Sequence, residues 1–171
     1  MKKIIIYATI SFSILTANGI LKLEDSKIVN KHSEPVYLKG CNLGNWLMLE
    51  MWMLDYHNFS ENGIEDQYRF IKTLEDRFGK DKAETLMDIY RENWINEDDF
   101  DVVKSYGMNT IRLPFDYKIL MNSDARPFKL KENAWYWLDF AIKVAKSKNM
   151  YVILDMHGAP GRQSEMDHSG R

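Results

Sequence analysis

Three absences narrow the classes of protein to which this chain can belong. Cys41 is the only cysteine among 171 residues, which excludes an intramolecular disulfide framework and a four-cysteine zinc site. Neither sign of charge dominates, because 23 basic and 25 acidic side chains leave a formal net charge of −2. A nucleic-acid-binding protein normally carries a basic face. No Gly-x-Gly-x-x-Gly follows a predicted strand, so a dinucleotide-binding domain has no support.

The composition that remains is that of a globular protein. Apolar residues make up 45% of the chain and charged residues 28%, a balance that disfavours intrinsic disorder. The aromatic side chains number 5 Trp, 9 Tyr and 8 Phe, enough ring surface for a large core or for a core and a stacking platform. Neither a repeat nor a Pro/Gly-rich linker divides the chain, and its length suggests one domain.

The first 17 residues have the pattern of a secretory signal peptide. Lys2 and Lys3 precede an apolar run over residues 4–15, and small residues follow. The run is shorter than the roughly 20 residues of a membrane-spanning helix. We therefore predict that residues 1–17 are a signal peptide, that the protein is secreted or extracellular, and that no stable membrane association remains after cleavage. A buried first strand over residues 4–10 is the alternative.

Hydrophobic periodicity predicts alternating strands and helices over the rest of the chain. The predicted strands cover residues 36–43, 108–113 (closed by Pro114) and 150–156, and the predicted helices cover 64–78, 81–94, 96–107 and 132–148. Strand 150–156 is apolar enough to be buried on both faces. The last helix is predicted to face inward through Trp135, Leu138, Ile142 and Ala145. This alternation is typical of βαβ units in a parallel sheet, either a (β/α)8 barrel or a doubly wound sheet.

Polar residues follow each predicted strand, at the edge where functional groups cluster in parallel α/β folds. Glu50 and Trp52 lie beyond the first strand, Arg112 lies near the end of the second, and Asp155 and His157 lie at the end of the third. Each has an ordinary structural interpretation as an ion pair, a core histidine or a packed ring. Their occurrence at three strand ends favours a common site.

Three segments together carry a resemblance to a known family. Residues 40–50 (GCNLGNWLMLE), 109–114 (NTIRLP) and 154–161 (LDMHGAPG) resemble glycoside hydrolase family five, and the likeness is greatest to its exo-β-1,3-glucanase-like branch. Residues 94–100 (WINEDDF) and the segment Asp167-x-Ser169-Gly170 add to it. The resemblance extends over about residues 27–171.

The resemblance implies a fold and an activity. It makes residues 18–171 the amino-terminal part of a (β/α)8 barrel, about its first three βα units, from an enzyme that hydrolyses β-glucans or β-glucosides with retention and without a cofactor or metal. Arg112 corresponds to the arginine that lowers the pKa of the nucleophile, and His157 to a histidine near the sugar at the cleavage point. Glu50 and Asp167 resemble carboxylates that bind sugar hydroxyls. Trp52 either offers a stacking face to a sugar or packs in the core.

The two catalytic glutamates of such an enzyme should follow the fourth and seventh strands, roughly 5 Å apart. The sequence supplies three strands, whereas a barrel takes about 250 residues. Asn96-Glu97 resembles the acid/base pair but is predicted to begin a helix. We therefore expect an incomplete, inactive chain whose open sheet edge favours self-association.

Two other functions are compatible with the same residues. A glycan-binding protein without turnover would retain Glu50, His157 and Asp167 as its site. A metal-dependent hydrolase would use Asp155, His157, Asp167 and His168 as ligands, although no His-x-His or cysteine cluster supports such a site.

Overall fold

A three-stranded parallel sheet covered by helices organises the chain. The computed structural model describes residues 19–121 and 129–160, so the predicted signal peptide and Asp167 lie outside the described residues. The strands are β1 (Lys22–Glu24), β2 (Lys27–Val29), β3 (Gly40–Asn42), β4 (Thr110–Asp116) and β5 (Tyr151–Gly158). The helices are α1 (Tyr56–Glu61), α2 (Gln67–Phe78), α3 (Lys80–Trp94), α4 (Glu97–Ser105) and α5 (Tyr136–Ser147), with 3₁₀ turns at Met51–Met53 and Tyr117–Ile119.

The parallel sheet has the strand order β3-β4-β5, with helices between consecutive strands. Cys41 pairs with Ile111, and Ile111 pairs in turn with Val152. The register between β4 and β5 is regular up to Phe115 and Met156 and then shifts by one residue. The parallel α/β architecture predicted from periodicity is confirmed. The antiparallel hairpin β1-β2 was not predicted, because its strands are only three residues long.

The hydrophobic core lies between the sheet and the helices that follow its strands. Alternate residues of β4 point to the helix side, since side chains of a strand alternate between faces. One buried cluster contains Ile111, Leu113 and Phe115 of β4 together with Phe100 of α4 and Trp46, Trp137, Leu138, Ala141 and Val144. Burying one such large apolar side chain stabilises the fold by about 1.5–3 kcal/mol.

Pro114 does not end the second strand as predicted, because β4 continues to Asp116. On the β3 side, the carbonyl of Arg112 accepts from the N–H of Leu43, and the N–H of Asp116 donates to the carbonyl of Leu47. Pro114 lies between these two points and faces the same side, where the chain after β3 has left the ladder. Its missing N–H therefore costs no strand hydrogen bond.

Two predictions of burial were wrong. In α5 the buried face contains Trp137, Leu138, Ala141, Val144 and Ala145, whereas Trp135 is 52% exposed and Ile142 is 39% exposed. The helix begins later than its apolar pattern suggested, and the preceding turn leaves Trp135 at the surface. Strand β5 is not buried on both faces, because Ile153 and Leu154 are about half exposed. Within the described residues β5 has β4 as its one strand neighbour.

Capping side chains fix the starts of two helices, α2 and α4. Asn96 caps α4 and forms a capping box with Asp99, as its sequence position predicted. Helix α2 begins at Gln67, later than predicted, because the Asp66 side chain accepts from the N–H of Arg69 and fixes the start. Over the described ranges, none of the helices combines the length and apolar character needed to cross a membrane.

Candidate functional site

An ion-pair cluster joins the ends of β4 and β5. Nη2 of Arg112 donates to Oδ2 of Asp155 and lies 3.2 Å from Nδ1 of His157. The same Nδ1 lies 3.1 Å from Oδ2 of Asp155. About a third of each side chain is exposed, so the cluster is accessible to a ligand. The sequence placed Arg112 and His157 at one edge, and the structure brings them together through Asp155.

Strand register explains why these three side chains meet. Arg112 lies between the core residues Ile111 and Leu113, so it points to the sheet face away from the helices. Asp155 pairs with Pro114, two residues further along the sheet than Arg112. The long arginine side chain spans that distance, and the register shift falls at His157. The cluster therefore occupies the carboxyl edge of the sheet.

A loop over residues 43–50 lies along the same edge. Leu47 forms an isolated parallel bridge with Phe115, the residue that pairs with Met156. Helices α2 and α3 hold the loop by three hydrogen bonds, from Trp46 Nε1 to the Arg91 carbonyl (2.9 Å), from Trp94 Nε1 to the Gly44 carbonyl (3.0 Å) and from the Leu49 N–H to Gln67 Oε1 (2.6 Å). These contacts fix the loop on a rigid support.

Asn45 is the buried centre of this loop. It is fully buried with φ +57°, a left-handed conformation that asparagine tolerates better than most residues. Its Oδ1 accepts from the N–H of Glu50 (2.8 Å), and its Nδ2 donates to the Tyr90 hydroxyl (3.0 Å). The Tyr90 hydroxyl donates in turn to the Asn45 carbonyl. Sequence reasoning gave Asn45 no role of its own, and its position directly after Gly44 was the available signal.

Glu50 and Trp52 follow directly from this loop. Glu50 is half-buried, and its Oε2 would lie 3.6 Å from a Cβ atom on Gly44, an ordinary van der Waals contact, so the carboxylate packs beside the start of the loop. Trp52 is 62% exposed, so core packing does not account for it. Met51 between them is fully buried and anchors the turn. A half-buried carboxylate and an exposed indole ring thus follow directly after the loop that lies along the carboxyl edge.

Comparison with known proteins decides the family. The family model described as Cellulase (glycosyl hydrolase family 5) matches residues 78–170, more than half of the chain. The chain belongs to glycosyl hydrolase family 5. The family resemblance and the glycoside hydrolase class predicted from the sequence are confirmed.

Individual relatives differ in the activities that their names state. The chain is 35% identical over 154 residues to a probable glucan 1,3-beta-glucosidase A of Aspergillus clavatus, covering 88% of this chain and 34% of that protein. It is 36% identical over 149 residues to a beta-xylosidase of Phanerodontia chrysosporium, covering 87% and 30%. The chain thus spans about a third of the length of these relatives.

Solved structures support the barrel-type fold. The crystal structure of rutinosidase from Aspergillus niger matches with a TM-score of 0.60 and 22% identity, covering 78% of this chain and 37% of that one. This likeness concerns the fold. Together with the family match, it confirms a partial (β/α)8 barrel over the matched part of the chain.

Glu97 does not belong to the cluster on β4 and β5. It is the first residue of α4, next to the capping residue Asn96 and in an acidic first turn with Asp98 and Asp99, where the helix dipole favours negative charge. The prediction that Glu97 begins a helix is confirmed.

Of the proposed metal ligands, the structure places Asp155 and His157 in contact with Arg112. Asp167 and His168 lie outside the described residues. Over residues 19–121 and 129–160, no three His, Cys, Asp or Glu side chains are grouped so that they could hold a metal ion. In that part of the chain Asp155 neutralises a guanidinium.

The Tyr90 hydroxyl makes the stability of the loop depend on pH. Burial raises the pKa of Tyr90 above its ordinary value, with the hydrogen bond to Asn45 opposing this. Since the folded state holds the phenol proton more tightly, this contribution to the free energy of unfolding is complete below about pH 10 and is lost as the pH rises further. We expect Tyr90→Phe to lower the free energy of unfolding by about 1–2 kcal/mol at neutral pH.

The gap in free energy of unfolding between wild type and Tyr90→Phe should narrow above about pH 10. Urea unfolding of both proteins at neutral pH and at about pH 10.5 measures it. Tyr106→Phe is the matched control, because Tyr106 is 70% exposed and lies away from the loop, and an exposed substitution usually changes stability by less than about 0.5 kcal/mol. A gap that stays constant with pH would contradict the role given to Tyr90.

Proposed function

We propose that the carboxyl edge of the parallel sheet is the sugar-binding part of a retaining β-glucan hydrolase. The observation that carries the proposal is the contact of Arg112 on β4 with Asp155 and His157 on the neighbouring strand β5, which form one accessible cluster. Glu50 stands at the same edge. Carboxylates, imidazoles and guanidinium groups bind sugar hydroxyls because they offer several donors and acceptors at once.

The roles of the individual residues follow the family pattern. Glu50 accepts hydrogen bonds from sugar hydroxyls, and the exposed ring of Trp52 offers a stacking face. Arg112 and His157 support the cleavage point, and Asp167 supplies a second carboxylate. Two relatives are named as a probable glucan 1,3-beta-glucosidase A of Aspergillus clavatus and a glucan 1,3-beta-glucosidase of Blumeria graminis, and these names favour a β-glucan or β-glucoside as substrate.

The catalytic step needs groups beyond this cluster. Retaining hydrolysis uses two carboxylates about 5 Å apart, one as acid/base and one as nucleophile. Neither has a counterpart among residues 1–171 in the family pattern, so we propose that this chain binds sugar without cleaving it. Secretion by the signal pattern of residues 1–17 belongs to the same proposal. So does association through the edge of β5 that has no strand neighbour among the described residues.

A titration with laminaribiose tests the binding site. We expect Glu50→Gln to weaken binding about tenfold or more, because hydrogen bonds to a charged group contribute about 1.5–3 kcal/mol. Glu97→Gln is the matched control, because Glu97 is an exposed helix-start residue, and it should bind as wild type does. Isothermal titration calorimetry measures both affinities.

Two results would count against the site. Equal affinities of wild type and Glu50→Gln would show that Glu50 does not belong to the sugar-binding site. Equal losses in Glu50→Gln and Glu97→Gln would show a general effect of charge. A glycan-binding protein without turnover retains the same site, so the titration does not separate it from the hydrolase; an assay of laminarin hydrolysis does.

A further inference from the structure

Nδ1 of His157 has two neighbours of opposite hydrogen-bonding character. Oδ2 of Asp155, 3.1 Å away, can only accept a hydrogen bond when the carboxyl group is ionised. Nη2 of Arg112, 3.2 Å away, can only donate. A neutral imidazole either carries its proton on Nδ1 and donates to Asp155, or carries it on Nε2 and accepts from Arg112. The two arrangements present different atoms to a ligand.

The contacts favour the first arrangement. Nη2 of Arg112 already donates to Oδ2 of Asp155 in the shortest contact of the cluster. An unprotonated Nδ1 would hold its lone pair against a carboxylate oxygen at 3.1 Å, which is repulsive. A protonated Nδ1 instead forms a charge-assisted hydrogen bond with that oxygen, and such bonds are about twice as strong as neutral ones.

The backbone restricts other arrangements of the ring. His157 follows Asp155 by two residues on β5, so both side chains leave the same face of the strand. The register shift against β4 falls at His157. Gly158 lies so close to the buried Asp116 that a Cβ atom there would be 2.6 Å from Oδ2 of Asp116. This close packing holds the end of β5 against β4 and fixes the start of the His157 side chain.

We propose that Asp155 is a positioning residue that holds His157 with its proton on Nδ1 and leaves Nε2 as the acceptor nitrogen. The same carboxylate oxygen orients the guanidinium of Arg112. Resting on the proposed function, Nε2 then accepts a hydrogen bond from a sugar hydroxyl, while Arg112 presents its remaining donors. One carboxylate thereby sets the hydrogen-bonding character of two ligand-facing groups, as outer carboxylates do for histidines in other sites.

Nitrogen NMR of the imidazole rings tests this assignment directly. The full chain is labelled with ¹⁵N-histidine and measured by magic-angle spinning at about pH 8.5, two units above the ordinary imidazole value, where neutral rings dominate. The signal of residue 157 is the one that His157→Gln removes. We expect wild type to show the Nδ1-protonated form in about tenfold excess or more, because its hydrogen bond to the Asp155 carboxylate is charge-assisted.

Two variants separate positioning by Asp155 from a general effect on the fold. Asp155→Leu, of similar size but without an acceptor, should move the proton to Nε2, because Arg112 is then free to donate to Nδ1. Arg112→Met should keep the proton on Nδ1, because Asp155 remains. If Asp155→Leu fails to fold, the spectra of wild type and Arg112→Met still decide the question.

Three results would overturn the proposal. They are an Nε2-protonated ring in wild type, comparable amounts of both forms in wild type, and a proton that either stays on Nδ1 in folded Asp155→Leu or leaves Nδ1 in Arg112→Met. The tautomer is measured without a sugar. If the tautomer assignment is wrong, the proposed sugar site is still tested by the laminaribiose titration. If that titration shows no binding, the tautomer assignment still stands.

Discussion

Purified chain of residues 1–171 is expected to hydrolyse neither laminarin nor aryl β-glucosides above the rate in buffer. Its family cleaves with two carboxylates about 5 Å apart, and the cluster at the carboxyl edge contains one carboxylate, Asp155, which is paired with Arg112. Enzymes accelerate such reactions at least about 10⁶-fold. Measuring the release of glucose or of the aryl group therefore distinguishes an active chain from one that hydrolyses only at the rate in buffer.

Glu97→Gln is the informative variant in this assay. Glu97 follows an asparagine, as the acid/base does in the family, but it begins α4. We expect the variant to give the same background as wild type. Turnover by wild type that disappears in Glu97→Gln would assign catalysis to Glu97 and refute the absence of catalytic carboxylates.

Trp46→Ala is expected to lower the free energy of unfolding by about 3–5 kcal/mol. Trp46 is 1% exposed and contacts the rings of Trp137 and Phe140 edge-on, at centroid distances of 6.0 and 6.1 Å. Its Nε1 also donates to the carbonyl of Arg91, so truncation leaves both a cavity and an unpaired acceptor. Such a loss is a large part of the 5–15 kcal/mol typical of a domain.

Trp52→Ala is the matched control for this measurement. Trp52 lies six residues further along but is 62% exposed, and exposed substitutions usually change stability by less than about 0.5 kcal/mol. Urea unfolding with unchanged slopes provides both values. Equal losses for the two tryptophans would show that the loop over residues 43–50 does not depend on the buried ring.

Features with a local cause could be predicted from the sequence. The start of α4 at Glu97 depends on Asn96 and the acidic residues after it, which lie within one helical turn. The parallel sheet followed from the alternation of apolar strands and amphipathic helices. Arg112 and His157 were placed at one edge because the carboxyl ends of parallel strands meet there.

Features that depend on tertiary contacts could not be predicted from the sequence. The continuation of β4 through Pro114 depends on where the chain after β3 leaves the ladder, and periodicity does not contain that information. The buried face of α5 shifted because packing against Trp46 uses Trp137 rather than Trp135. Asp155 was considered as a metal ligand, whereas its partner is a guanidinium 43 residues away in sequence.

At the site itself, Asn45 shows most clearly which contacts cannot be predicted from the sequence. Its contacts with Glu50 lie within the loop, but the one with Tyr90 spans 45 residues. A buried asparagine at positive φ supports the backbone of Glu50, and a sequence shows neither the burial nor the dihedral angle. Contacts that support a binding residue from behind in this way are therefore found in structures and seldom predicted from sequence.

The most direct test of the sugar site is a laminaribiose titration of ¹⁵N-labelled chain, followed residue by residue. We expect the signals of Glu50, Arg112 and His157 to shift together with one affinity. Gly40 and Asn109, at the opposite edge of the sheet where Asn109 contacts the Lys39 and Tyr37 backbone, should not move. Shifts confined to that opposite edge, or no shifts at millimolar sugar, would contradict a sugar site at the carboxyl edge.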